Sequence, residues 1–199
     1  MPDIDCRSDN HNSHSIGLDS DRGLDQGTWS VQAHMYPAAN IPVVQLSING
    51  SKPLDYHVEL GARLSPLRDR GILIVASVNV VHNLRRIDWA KVDAGFDWAE
   101  RFDDAVHEQL AHAPAKILAV ASHPDYGAAV PTPEHFIPTL YHAGLGTETE
   151  PVREMVRGYS LGSLSMSCYA VGIDPHTAAN GSAAAATLPT GVPADNTNA

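Results

Sequence analysis

Eleven histidines occur in 199 residues. Imidazole is the commonest metal ligand and the usual acid or base near neutral pH, so the first question is which of the eleven do chemistry. His82, in Val80-Val81-His82-Asn83-Leu84-Arg85, follows an apolar run directly, where a strand would end at its carboxyl edge. Open α/β sheets gather ligands and catalytic groups at that edge. His135, in Pro131-Thr-Pro-Glu-His-Phe-Ile-Pro138, falls at a helix start. Unpaired N–H groups and the dipole's positive end there favour the neutral, metal-binding imidazole. Glu134 reads as a favourable first-turn acid. The remaining histidines have plainer readings. His57 lies on a surface helix, His107 and His112 on a solvated helix face, His123 in a loop before Pro124, and His34 and His142 in short helices. His11 and His14 have ligand spacing but no helix signal around them. No CxxC, HExxH, GxSxG or Walker pattern occurs, which sets aside zinc ribbons, zincins, serine hydrolases and P-loop enzymes.

Several elements must position these residues. Residues 28–36 read as a short helix stopped by Pro37, and residues 42–48 as a β-rich stretch closing at Asn49-Gly50. Leu60, Leu64 and Leu67 mark a helix over 54–70, kinked at Pro66 and capped by Gly71. The continuous apolar run 71–81 has the composition of a central strand buried on both faces. Trp98, Phe102, Val106 and Leu110 step by four along a helix over 97–111. Thr132-Pro133-Glu134 starts another helix that ends near Gly144. Leu164, Met166, Cys168 and Ala170 alternate with Ser163, Ser165, Ser167 and Tyr169 as a half-buried strand. Alternating strands and helices give an α/β class: three layers, with a mixed, mostly parallel sheet flanked by helices.

Composition bounds the partners. Thirteen Lys and Arg against 23 Asp and Glu leave a net charge of −10 without a basic block. That disfavours nucleic acid and anionic membrane surfaces. Two distant cysteines, no apolar run of spanning length and no signal-peptide pattern fit a soluble cytoplasmic protein. Residues 1–16 and 174–199 are polar or low in complexity and read as disordered, which leaves 17–173 as the folded domain.

Taken in order, Gly23-Leu-Asp-Gln-Gly-Thr-Trp29, Met35-Tyr-Pro, Ile41-Pro-Val-Val-Gln-Leu-Ser-Ile48, Ile74-Val-Ala-Ser-Val-Asn-Val-Val-His-Asn-Leu-Arg85, Pro131-Thr-Pro-Glu-His-Phe-Ile-Pro138 and Gly162-Ser-Leu-Ser-Met166 resemble successive blocks of the class III extradiol ring-cleavage dioxygenases, in particular the 4,5-DOPA extradiol group. The resemblance runs from about Gly17 to Gly172. It implies an α/β catalytic domain that opens catechol-type rings with dioxygen, using one non-haem Fe(II) or Zn(II) per complete site. On this resemblance His135 is a metal ligand, and His82 is both a pocket ligand and the acid/base. Gln26 stands where the family has a pocket histidine and can hydrogen-bond but not shuttle protons at neutral pH. Asn83 and Trp29 become candidate substrate contacts.

The family's opening Gly-His-Gly-Ser-Pro and Ser-Ala-His-Trp motifs do not occur here. This gives the expectation of an N-terminally truncated fold with an uncovered sheet edge, at which a homodimer could form. A catalytically inactive remnant or interaction protein of the same family is the alternative reading.

Overall fold

The structure is a computed structural model that describes residues 17, 21, 23–147 and 150–173. His11, His14 and the two segments expected to be disordered, 1–16 and 174–199, lie outside the described residues.

Each helix begins and ends where its residues dictate. Helix α1 (Gln26–Met35) starts at Asp25, whose carboxylate accepts from the Thr28 N–H at 2.8 Å. Helix α2 (Leu54–Leu64) gives way to a 3₁₀ turn (Ser65–Arg70) where Pro66 removes a donor. Gly71 then closes the unit with φ +74°, a left-handed conformation that glycine adopts without a Cβ clash. Helix α3 (Asp97–His112) carries Asp97 and Glu100 in its first turn and buries Phe102, Val106 and Leu110 completely. The predicted kink, the Gly71 cap and the four-residue stripe are therefore all present. A 3₁₀ stretch (Pro114–Ser122) and the short α4 (Tyr126–Ala129) lead to a 3₁₀ turn (Pro133–His135) and then α5 (Ile137–Leu145). Helices α2 and α5 pack backbone to backbone. A Cβ on Gly61 would strike the Tyr141 carbonyl, and one on Gly144 would strike the Val58 carbonyl.

Four short strands follow: β1 (Arg153–Val156), β2 (Tyr159–Ser160), β3 (Leu164–Ser165) and β4 (Cys168–Ala170). Among the described residues they form two two-stranded antiparallel ladders, β1 with β4 and β2 with β3. The β1–β4 register shifts between Glu154 and Val156. Helix α3 is tied to these strands by Asp103, which is fully buried. It accepts from Tyr159 OH at 3.1 Å, Arg157 Nε at 3.2 Å and Ser167 Oγ at 3.0 Å. A buried carboxylate is tolerable only with such donors.

Four sequence expectations change. Residues 71–81 are not a strand among the described residues, and the mostly parallel sheet is not seen there. Only Val80 and Val81 are buried in this run, while Leu73 is 55 % exposed. Residues 42–48 likewise form no ladder, and Val44 is 88 % exposed. An apolar run is a strand only where a second backbone takes up its N–H and C=O groups, and among the described residues a neighbouring strand does so only at Val81, whose C=O accepts from Ser165 N–H. The half-buried strand is split into β3 and β4, and its burial is inverted over residues 163–168, while Ala170 is buried as expected. Ser163 and Ser165 are inaccessible while Met166 is 52 % exposed. Finally, His57 is buried rather than on a surface, because the close α2–α5 approach encloses it. Its Nδ1 lies 3.2 Å from Tyr141 OH. No described helix is long and apolar enough to cross a membrane.

Burial pushes the His57 imidazole below its ordinary 6.5, and His142 shifts the same way for the same reason. The unfolded chain therefore binds more protons below pH 6.5, so this stability is full above that pH and is lost as pH falls through it. Thermal melts are expected to show Tm falling from pH 7.5 to 5, with a shallower slope in His57→Gln. At constant pH, Gly61→Ala should lower unfolding free energy by about 1–3 kcal/mol in urea titrations.

Candidate active site

The residues leading to His82 are held on three sides. Val81 N–H donates to Ser165 Oγ at 2.8 Å, and Val81 C=O accepts from Ser165 N–H at 3.0 Å. His82 N–H donates to Ala129 C=O at 3.0 Å, at the end of α4. Asn83 N–H donates to Ser163 C=O at 3.1 Å, and Ser163 Oγ donates to Asn83 C=O at 2.8 Å. The buried Asn83 amide gives Nδ2–H to Ala128 C=O at 2.7 Å and accepts the Arg85 N–H at 3.1 Å. Asn83 thus caps the 3₁₀ turn Leu84–Arg86 from within the protein.

His135 arrives from the other side. It ends the Pro133–His135 turn, and the next residue, Phe136, is buried against Phe102 and Tyr126 with ring centroids 6.0 and 6.2 Å away. That aromatic anchor fixes where the turn presents its imidazole. The two rings meet face to face, with centroids 3.6 Å apart and planes 11° apart. The two histidines singled out from the sequence are therefore in contact, although 53 residues separate them.

Their electrostatics follow from the contact. Burial, and then the neighbouring charge of His135, lowers the proton affinity of His82, with Glu134 acting weakly in the opposite direction. Glu134 is exposed. A Thr132 hydroxyl hydrogen bond first, its own backbone next and the two imidazoles last hold its carboxyl below the usual range. At pH 7 His82 is neutral and able to accept a proton.

A single metal ion does not fit this pair as it stands. An imidazole nitrogen directs its lone pair in the ring plane, and zinc sits about 2.1 Å along it. Two nearly parallel rings in van der Waals contact send their lone pairs along parallel planes instead of to one point. Among the described residues no cluster of three His, Cys, Asp or Glu side chains could hold a metal.

Gln26 and Trp29 lie on α1, a helix that buries none of its residues. Neither makes a hydrogen bond or ring contact with His82 or His135 among the described residues. The sequence reading missed Ser163 and Ser165. Their signal was present, since three serines at every second position of one strand mark a polar face that must be either wet or internally bonded.

The chain matches the family described as the catalytic LigB subunit of aromatic ring-opening dioxygenase over residues 9–171. It is 42 % identical over 154 residues to the 4,5-DOPA dioxygenase extradiol of Escherichia coli K12, covering 75 % of this chain and 57 % of that protein. It is 31 % identical over 157 residues to the 4,5-DOPA dioxygenase extradiol of Beta vulgaris, covering 78 % of this chain and 58 % of that protein. A crystal structure of an uncharacterized E. coli K12 protein superposes with a TM-score of 0.67 at 42 % identity, covering 74 % of this chain and 62 % of the other. The chain thus spans under two thirds of the length of these relatives. With both histidine-bearing blocks inside the matched span, the chain belongs to the LigB family of aromatic ring-opening dioxygenases.

Proposed function

We propose that this chain takes part in extradiol opening of a catechol-type ring by dioxygen, as a relative of the 4,5-DOPA dioxygenases, with His82 as the proton-handling group. The observation that carries the reading is the stacked His82–His135 pair inside the span matched to the family. A catechol must give up hydroxyl protons before its ring is electron-rich enough to react with dioxygen, and a neutral imidazole of lowered proton affinity takes one at pH 7. The same imidazolium then returns a proton to the oxygen that becomes a product hydroxyl or acid. Burial first, and then the neighbouring His135, oppose protonation of His82. Gln26 and Trp29 are the candidate substrate contacts from α1, whereas the Asn83 amide is already committed to backbone partners.

Family membership brings with it a single non-haem ion, Fe(II) or Zn(II), with His135 and His82 as candidate ligands. The stacked rings do not converge on one ion, so no step here is routed through it. The same observation favours a second reading, a family member that binds no metal and is catalytically inactive.

The test is oxygen consumption by the full chain with L-DOPA or protocatechuate after anaerobic loading with Fe(II). Uptake matched by a yellow ring-opened product supports the enzyme reading, and neither uptake nor metal retention would establish the inactive one. In an active chain, His82→Ala should lower kcat by roughly 10²- to 10⁴-fold. Because His82 must be neutral to act, kcat/KM should fall as pH drops through its lowered titration point. His135→Ala should move that acidic limb to higher pH by removing the neighbouring charge, as read from the pH–rate profile.

A further inference from the structure

We infer that Ser163 and Ser165 are positioning residues, whose buried hydroxyls hold the 81–83 backbone so that the His82 ring lies over His135. The inference rests on the proposed function for its catalytic consequence, while the geometry it asserts can be tested without any activity.

Strand β3 is two residues long, and its ladder with β2 uses its other edge. Toward residues 81–83 it offers one bridge, His82 with Leu164, and the flanking bonds are made in part by side chains. Val81 N–H ends on Ser165 Oγ, not on a carbonyl, and Asn83 C=O is met by Ser163 Oγ. Both serines are fully inaccessible, so neither hydroxyl can exchange its partner for water. A backbone ladder tolerates any side chain, whereas this one needs an oxygen at each of the two positions.

The serines are themselves anchored on the far side. Leu161 and Gly162 have φ of +54° and +77°. Gly162 C=O accepts from Phe96 N–H at 2.7 Å, and its N–H donates to Ala94 C=O at 3.0 Å. A Cβ on Gly162 would strike the Phe96 ring. Residues 161–165 therefore form a strut running from the start of α3 to the backbone on either side of His82. A stack with centroids 3.6 Å apart leaves little room for that backbone to shift.

The experiment is histidine-ring NMR on the full chain. In the wild type, nuclear Overhauser effects connect the His82 and His135 rings, and both show upfield ring-current shifts. Ser163→Ala and Ser165→Ala are expected to lose the inter-ring effects and move the His82 ring signals to their positions in His135→Ala. Val81 amide exchange should rise roughly tenfold or more in Ser165→Ala. Ser165→Thr, which keeps the acceptor, should retain the stack. Gly61→Ala weakens the fold at the α2–α5 contact with Tyr141 and touches none of the 81–83 or 163–165 hydrogen bonds, and it serves as the control, with the stack intact. If the alanine variants do not fold, Ser165→Cys, with a poor acceptor in nearly the same volume, is expected to show the same loss. Where ring cleavage is measurable, kcat should fall about tenfold with KM held. Retention of the inter-ring effects in the folded alanine or cysteine variants would overturn the inference, as would equal loss in Gly61→Ala. A lost stack with unchanged kcat would overturn the catalytic consequence alone.

Discussion

The site depends on how three consecutive backbone N–H groups are satisfied. Val81, His82 and Asn83 send theirs to Ser165 Oγ, Ala129 C=O and Ser163 C=O respectively. The acceptors come from two separate stretches, the 163–165 segment and the end of α4, so both must be in place before residue 82 has a fixed direction. Two buried serines stand in for part of a missing ladder. Without such partners a buried N–H costs about 1–3 kcal/mol, enough to release the segment. The His82–His135 contact is the result of this arrangement.

Other buried polar groups obey the same rule. Asp103 is inaccessible yet accepts from Arg157, Tyr159 and Ser167, which ties α3 to the strands that carry the serines. The burial that raises the Asp103 carboxyl also pushes the Tyr159 and Tyr169 hydroxyls above their ordinary range, with the Asp103 charge next in importance for both. Of the two hydroxyls, that of Tyr159 donates to Asp103. The hydrogen bonds to Asp103 join α3 to the segment that frames His82, so stability and site geometry share one network.

Much of this was legible in the sequence, and for local reasons. The stripe from Trp98 to Leu110, the Pro66 break and the Gly71 cap are encoded within a few residues each. His82 and His135 stood out because each sits at an element boundary, and the structure brings both together. What could not be read locally depended on neighbours. The run 71–81 has the composition of a buried strand, but composition does not supply the second backbone that makes one. Alternation in 163–170 gave the right period and, up to residue 168, the wrong inside face, because hydroxyls bonded to backbone groups bury as well as methyl groups do. His57 looked exposed on its own helix, and only the approach of Gly61 to Tyr141 encloses it. Gln26 and Trp29 were placed by resemblance alone, and both lie on α1.

The central claim is that the His82–His135 pair serves extradiol ring opening. Isotope labelling tests it most directly: the Fe(II)-loaded chain is supplied with a catechol under ¹⁸O₂ and the product is analysed by mass spectrometry. The account predicts a ring-opened product carrying both labelled atoms, formed by the wild type and abolished in His82→Ala. A product with no labelled atom in its new carboxyl group, or a labelled product undiminished in His82→Ala, would contradict it.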